Sequence, residues 1–508
     1  MSIVILKNLQ NKKIAILGLG IENYALVKFL IPLTPFIKGA KFDITICDAR
    51  SKKELGERYK DIEGILGVGH PIGRPTPLIK WQLGKNYNKN LYEFDILFRS
   101  PGWPVNKVKS QKSLKSPNPL YQGGIIVSSP MKLFFELCPS KNIIGVTGTK
   151  GKGTTAYLIY KILKKTGKSV WLGGNIGVAP FEFLGKIKRN DWVVLELSSF
   201  QLEDMEVSPY IAVITNFYSE HLAPADPNNP NFHKTLKDYR DAKMNIIRWQ
   251  RRGDYAVINK NFQFSPASPS EAGRAISNFQ LNFKKLKSKI IYFGKSDLPS
   301  KLIGEHNKEN IAAAVEVAKI IGIKNEIIRK AVAGFKGLEH RLEFVKAVKA
   351  PLVKGGWGVI KYYNDSFATT SESAIIALKS FPGPVILLVG GAEKNSDFRP
   401  LAREIKRGVY PVKSSKAGAP LQARRFNRVK FVVLLDGKAT GRIKRELLQI
   451  KYPKDKIKLA QSMKDAVRIA RSVAKAGDTV LLSPACASFG MFKNYKERGE
   501  LFKEEVKK

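Results

Sequence analysis

Val146-Thr-Gly-Thr-Lys-Gly-Lys-Gly-Thr-Thr155 is the stretch on which the fold of this chain turns. The apolar run Asn142–Val146 ahead of it reads as a buried strand, and a helix follows. The loop between them consists of small residues whose backbone N–H groups can face phosphate oxygens, with a helix N-terminus behind. Gly148, Thr149, Lys150, Gly151, Lys152, Gly153 and Thr154 are therefore candidate nucleotide-binding residues. Lys152 is placed to reach the β- and γ-phosphates, and a neighbouring hydroxyl to ligate Mg²⁺. Two positions depart from the general phosphate loop. Val146 stands where a first glycine is usual, and Gly153 where Ser or Thr usually follows the lysine. Thr154 becomes the candidate metal hydroxyl.

Outward from this loop, three stretches alternate strand-like and helix-like patterns, which is the signature of an α/β fold. The first contains Lys13–Gly20, Phe42–Asp48 and Phe94–Gly102. The second adds Trp192–Leu197 and Ile211–Thr215, and the third contains Val385–Val389, Phe431–Leu435 and Thr479–Leu482. The expected organisation is a Rossmann-like N-terminal domain (1–130), a P-loop ATPase-like central domain (131–338) and a Rossmann-like C-terminal domain (339–508). At 508 residues, a length of about three domains is also the simple prior. Segments 70–90, 262–289 and 407–429, polar, basic and rich in Pro, Ser or Asn, read as surface insertions.

Composition narrows the class. Apolar residues make up 44% and charged residues 26%, as in ordinary globular proteins with a sizeable core. The longest apolar runs are too short to span a bilayer, and the N-terminus has no signal-peptide layout. Cys47, Cys138 and Cys486 show no paired spacing, so no disulfide framework or metal knuckle is indicated. These features point to a cytoplasmic protein, expected to act as a monomer and without membrane contact. The net charge of +44 would suit a nucleic-acid binder, but the 87 Lys+Arg are spread along the whole chain. The charge is read as background composition that attracts phosphorylated ligands, and nucleic acid is not the expected partner.

The loop T-G-T-x-G-K resembles that of the Mur ligase superfamily, which includes folylpolyglutamate synthases. Seven further segments match that superfamily in order: Glu196–Glu203, Thr215–His221, Tyr239–Lys243, His306–Asn310, Gly337–Arg341, Asn364–Thr369 and Gly390–Lys394. Leu482–Ser488, continuing to Lys493-Asn-Tyr495, completes the series. The last three segments are similar to the D-glutamate-adding branch in particular. The resemblance implies an enzyme that converts a carboxylate to an acyl phosphate with ATP, after which an amine attacks and phosphate leaves. Its substrates would be UDP-N-acetylmuramoyl-L-alanine and D-glutamate, in peptidoglycan precursor synthesis. Two anions must approach each other in such a reaction, so cations have to neutralise the transition state.

By the same resemblance, Lys152, His221 and Lys243 are catalytic. Thr154, Glu196, His221 and Lys243 hold Mg²⁺, with two ions expected. Lys243, which alone in a helix would read as a solvated lysine, would be carbamylated and become an anionic oxygen ligand. Asn307 and Asn310 are placed with adenosine, and Arg341 and Asp365 with the nucleotide. For either of the last two alone, a hinge salt bridge is an equal reading. Asn175, Ser198 and Gln201 are assigned to substrate binding. Lys394, Thr369, Ser488, Phe489 and Tyr495 match positions that receive D-glutamate, whose carboxylate suits a cation and hydroxyls. Phe367 departs from the branch, which usually has lysine there, so one expected cation is missing.

The N-terminal glycine turn supports two readings. Gly18-Leu-Gly20 with Asn23 is an incomplete G-x-G-x-x-G, and Asp48 ends the next strand where an acidic residue could bind a ribose of NAD. The resemblance gives this domain to the UDP group instead, with Asp48, Arg50, Ser100, Pro101 and Gly102 as contacts. Glu22 and Ala49 do not match the small hydroxyl residues common there. An NAD-dependent oxidoreductase would leave the phosphate loop without a role, and the Ser-Pro-Ala-Cys-Ala-Ser segment speaks against a folate-type ligase.

Overall fold

The computed structural model describes residues 9–31, 43–67, 78–104, 125–218, 222, 231–261, 286–352, 356–381, 383–392, 396–409 and 426–508. They form α/β architecture around three sheets. The first contains β1 (Lys13–Leu17), β2 (Asp43–Asp48), β3 (Leu78–Leu83), β4 (Ile96–Arg99) and β5 (Ile126–Ser128) in the order β3-β2-β1-β4-β5, all parallel. The second contains β6 (Ile143–Thr147), β7 (Val170–Gly174), β8 (Trp192–Glu196), β9 (Ile211–Ile214), β10 (Tyr255–Asn259) and β11 (Lys289–Phe293). Its order is β11-β10-β9-β6-β8-β7, again all parallel. Strands buried on both faces become continuous apolar runs, which is why β6 and β8 were readable from sequence.

The third sheet is mixed. Its strands are β12 (Glu343–Pro351), β13 (Trp357–Asn364), β14 (Val385–Gly390), β17 (Val429–Leu435), β18 (Ile457–Ala460) and β19 (Thr479–Leu482), with β15 (Gly408–Val409) and β16 (Phe426–Asn427) forming a separate two-stranded ribbon. The order is β12-β13-β19-β14-β17-β18, and only the β12–β13 pair is antiparallel. All six residues of β14 are buried at its centre.

Two compact units result. One comprises 1–298 with 308–332 and holds the first two sheets, and the other comprises 299–307 with 333–508 and holds the third. In the first unit a single apolar cluster runs from Ile14, Ile16 and Phe98 under the first sheet to Ile143, Val193 and Leu195 under the second. The fully buried Arg99 at the end of β4 ties the two layers together. Its Nε donates to Asp204 Oδ2 at 2.8 Å and its Nη2 to the Phe200 carbonyl at 2.9 Å.

One expectation is corrected. Segment 70–90, read as an insertion, contains edge strand β3, paired to β2 from Asp43↔Leu78 to Asp48↔Leu83. An edge strand carries polar side chains that blunt its exposed border, and Lys80 pairs with Asp43 at 3.2 Å. That polarity disguised the strand. Of the other two segments, 262–285 and 410–425 lie outside the described residues.

Candidate active site

The phosphate loop is built from the C-terminal end of β6, where the strand order of the second sheet changes direction. Gly148 has φ +147°, and a Cβ there would lie 1.9 Å from Thr215 Oγ1. Gly151, at φ +83°, precedes the helix Lys152–Lys165, and a Cβ on it would lie 2.1 Å from Asn310 Oδ1. Only glycine fits either place. Neighbouring strands brace the loop. Lys150 N–H donates to Asn216 Oδ1 at 2.8 Å, while Thr215 Oγ1 and Asn216 Nδ2 donate to the Lys150 carbonyl at 2.7 and 2.9 Å. Lys152 occupies the first helical position and folds back, its Nζ donating to the carbonyls of Gly148 at 2.9 Å and Thr149 at 3.1 Å. Gly153 and Thr154, both buried, follow in the first turn.

Lys243 comes from the helix Leu236–Arg248, begun by a capping box of Thr235 and Asp238. It is no surface lysine: it is 3% exposed, and its Nζ donates to the Gly148 carbonyl at 2.8 Å and lies 4.8 Å from the Tyr239 ring centroid. Tyr239 Oη is 3.0 Å from Thr149 Oγ1, which also accepts from Tyr218 N–H at 2.9 Å. Thus Lys152 and Lys243 share one carbonyl of the loop.

Glu196 ends β8, paired beside Val146 of β6, and its buried Oε1 accepts from Asn175 Nδ2 at 2.9 Å. The carboxylate of Glu196 and the hydroxyl of Thr154 are hard oxygen donors, which fits Mg²⁺. His221 lies outside the described residues. Ser198 and Gln201 form a capping box on the short helix Ser199–Leu202, and Gln201 Nε2 donates to Glu22 Oε1. Asn310, buried, accepts from Thr155 Oγ1 at 3.4 Å, whereas the Asn307 amide donates to the Ile303 carbonyl at 2.7 Å.

In the N-terminal glycine turn, Asp48 is buried. Its Oδ2 accepts from Leu19 N–H at 2.7 Å, and Arg50 grips both its oxygens at 2.9 and 2.8 Å. Burial alone would push its carboxyl up, but these hydrogen bonds hold it below the ordinary aspartate value. Asn23 explains the incomplete glycine motif. Its fully buried amide donates to the carbonyls of Leu17, Gly18 and Phe98, tying the turn to β4. The Ser100-Pro-Gly102 loop is packed against the same turn, with Ser100 N–H donating to the Leu17 carbonyl at 2.9 Å and Asn231 Nδ2 to the Pro101 carbonyl at 2.6 Å.

The second unit gathers its candidates at the C-terminal ends of β13 and β19. Asp365 accepts from Ser483 Oγ at 2.8 Å and Leu342 N–H at 3.2 Å, and its burial pushes its carboxyl up to about 7. Phe367 is 39% exposed, with the Arg341 guanidinium carbon 3.8 Å from its ring centroid and Tyr495 edge-on at 5.0 Å. Ser488 is buried and Phe489 exposed. Thr369 lies on the same loop as Phe367, just ahead of the helix Ser371–Lys379. Lys394 lies outside the described residues.

Arg498, which sequence reasoning passed over, organises this region. Fully buried, it donates to Ser366 Oγ at 3.0 Å, to the Ser366 carbonyl at 2.8 Å, and to the carbonyls of Cys486 and Ala487 at 3.1 and 3.2 Å. Its position three residues beyond Tyr495, in a helix otherwise rich in Lys and Glu, gave no signal of this.

The family described as Mur ligase middle domain matches residues 146–318, from the phosphate loop to the helix of Asn310. A Clostridium perfringens protein named UDP-N-acetylmuramoylalanine–D-glutamate ligase is 34% identical, the match covering 98% of this chain and 97% of the relative. An Acetivibrio thermocellus protein of the same name is 35% identical over 98% and 97%. Among solved structures, the Thermotoga maritima MurF ligase in complex with ADP aligns at a TM-score of 0.51 with 17% identity, covering 91% of this chain and 95% of that one. The UDP-N-acetylmuramate-alanine ligase of the same organism aligns at 0.50 with 16% identity, covering 98% and 99%. The fold is shared with those two structures, and with about a third of its residues identical across nearly the full length of its relatives, the chain belongs to the Mur ligase family, among the UDP-N-acetylmuramoylalanine–D-glutamate ligases.

Proposed function

We propose that this chain joins D-glutamate to UDP-N-acetylmuramoyl-L-alanine at the expense of ATP, in peptidoglycan precursor synthesis. The observation that carries the reading is the convergence of Lys152 and Lys243 on the Gly148 carbonyl, beside a helix N-terminus. A substrate carboxylate oxygen attacks the γ-phosphorus of ATP, ADP leaves, and an acyl phosphate results. The D-glutamate amine then attacks the acyl carbon, giving up a proton as phosphate leaves and an amide forms. Two anions meet in the first step, and the loop N–H groups and Lys152 lower the repulsion between them.

Thr154, Glu196 and His221 would hold Mg²⁺, together with Lys243 if carbamylated. When bound, the metal supplies further charge neutralisation at the phosphoryl group. A carbamylated Lys243 would keep one N–H, enough to serve the Gly148 carbonyl. The remaining assignments follow the resemblance: 1–130 for the nucleotide sugar, 131–338 for ATP, 339–508 for the amino acid. Asp48, Arg50, Ser100, Pro101 and Gly102 serve the UDP group, and Asn175, Ser198 and Gln201 bind substrate. Asn307, Asn310, Arg341 and Asp365 serve the nucleotide, and Thr369, Lys394, Ser488, Phe489 and Tyr495 the D-glutamate.

Among the described residues no helix is long and apolar enough to cross a membrane. Phosphate release, measured with the nucleotide sugar present against a panel of amino acids, tests the reading. D-glutamate should be the preferred amine, and preference for another amino acid would reject the substrate while leaving the ligase chemistry.

A further inference from the structure

Phe367 exposes a large ring on the loop after β13, and this ring is not idle surface. The guanidinium carbon of Arg341 lies 3.8 Å from its centroid, close enough for flat stacking and cation–π attraction. Tyr495 meets the same ring edge-on at 5.0 Å and 84°. The platform is fixed from below. Phe367 N–H donates to the His340 carbonyl at 3.0 Å, and Ser366 Oγ donates to the Tyr495 carbonyl at 2.7 Å. Arg498 then clamps Ser366 through both its hydroxyl and its carbonyl.

Among the described residues the Arg341 side chain makes no hydrogen bond or ion pair, although Asp365 is close enough to feel its charge. The Asp365 oxygens are already engaged by Ser483 and by Leu342 N–H. Stacking consumes the face of a guanidinium and leaves its in-plane N–H donors available as a fork. A long arginine normally loses rotamer freedom when it captures a ligand, and a ring that already holds it removes much of that loss.

We infer that Phe367 is a positioning residue, which holds the Arg341 guanidinium flat as a receptor for an oxyanion, either a phosphoryl group or a carboxylate. This rests on the ligase reading for the identity of the anion, but not for the existence of the receptor.

Steady-state kinetics of Phe367→Leu, Phe367→Tyr and Arg341→Met test it, varying ATP and D-glutamate separately, with thermal melting as a control. Phe367→Leu should raise one substrate's KM by about fivefold or more with a smaller change in kcat, and Phe367→Tyr should restore it. A KM effect on ATP marks a phosphoryl group, and one on D-glutamate marks a carboxylate. Phe367→Leu added to Arg341→Met should have no further effect, because the ring acts through the arginine. Unchanged KM values in Phe367→Leu, or additive losses in the double variant, would overturn the inference. If the wild type shows no ligase turnover, the functional reading fails. Calorimetric binding of ADP and of D-glutamate to the same variants then decides the receptor, with equal affinity of wild type and Phe367→Leu for both refuting it.

Discussion

Lys243 Nζ donates to the Gly148 carbonyl at 2.8 Å, across 95 residues of sequence, so a buried lysine from one helix buttresses the first turn of the phosphate loop. Replacing it by alanine removes that brace and leaves the carbonyl to Lys152. Lys243→Ala should lose most activity while melting within a few degrees of wild type. If the lysine is carbamylated, added short carboxylates should restore part of the turnover. Labelled carbon dioxide should appear on the wild-type side chain by NMR and be absent from the variant. Full activity in Lys243→Ala would remove the residue from the mechanism.

Lys152 presents a simpler case. Its ammonium folds onto the Gly148 and Thr149 carbonyls, within the loop it is to serve. Removing one preorganised donor at a transferring phosphoryl group typically costs on the order of a hundredfold or more in rate. Lys152→Ala should therefore abolish acyl-phosphate formation and keep the fold, as read by phosphate release and circular dichroism. Turnover near that of wild type would sink the assignment.

Gly151 tests the loop without touching a charge. Its φ of +83° disfavours any side chain, and a Cβ would fall 2.1 Å from Asn310 Oδ1. Gly151→Ala must displace Asn310 or deform the loop, with a backbone penalty of about 1–3 kcal/mol. Nucleotide affinity should fall and the melting temperature drop. An unaltered KM for ATP would show that the loop tolerates the shift.

These residues were not equally legible before the fold was known. The run Asn142 to Thr155 announces a strand, a phosphate loop and a helix because each obeys a local rule. Lys243 obeys none: among Lys237, Asp238, Arg240 and Asp241 it looks like one more solvated charge, and only the fold reveals that its face of the helix is buried. Edge strand β3 was hidden by its lysine and glutamine. Asn23 looked like a flaw in a glycine motif, yet its amide satisfies three carbonyls that a glycine would leave to other partners. The approach of Arg341 to Phe367 follows a turn at His340, where φ is +61°, and no sequence period encodes that contact.

Glu22 supplies a pH dependence. Its Oε1 accepts from Gln201, its Oε2 is shut off from solvent without a hydrogen-bond partner among the described residues, and burial raises its carboxyl from 4.5 to about 7. A carboxyl with a raised folded-state pKa binds its proton more tightly when folded. Stability is therefore lost as pH rises between 4.5 and about 7, and the deficit remains above that window. Glu22→Gln keeps the shape and removes the charge. It should melt higher than wild type at about pH 8 and show little difference at about pH 4. Equal melting temperatures at both would mean that water or rearrangement relieves the buried charge.

Arg498 is the residue on which the second unit's candidate site depends most, although it is not a candidate to touch substrate. Its guanidinium serves four acceptors at once: the hydroxyl and carbonyl of Ser366 and the carbonyls of Cys486 and Ala487. These belong to the loops after β13 and β19, which carry Phe367 and Ser488. Burial lowers its pKa to about 10, still far above neutrality, so the group stays charged. Arg498→Met would remove the donor from these neutral acceptors, of which the Ala487 carbonyl keeps Ala392 N–H, at a cost of about 1–3 kcal/mol for each buried acceptor left unsatisfied. Arg498→Lys keeps the charge but replaces a planar fork with a single ammonium that cannot span acceptors on both loops. The lysine variant should fold with a reduced melting temperature and lose affinity for D-glutamate, while ATP binding by the phosphate loop of the other unit persists. Calorimetry with each substrate separates the two effects. Undiminished D-glutamate binding in Arg498→Lys would show that the two loops hold their shape without the clamp.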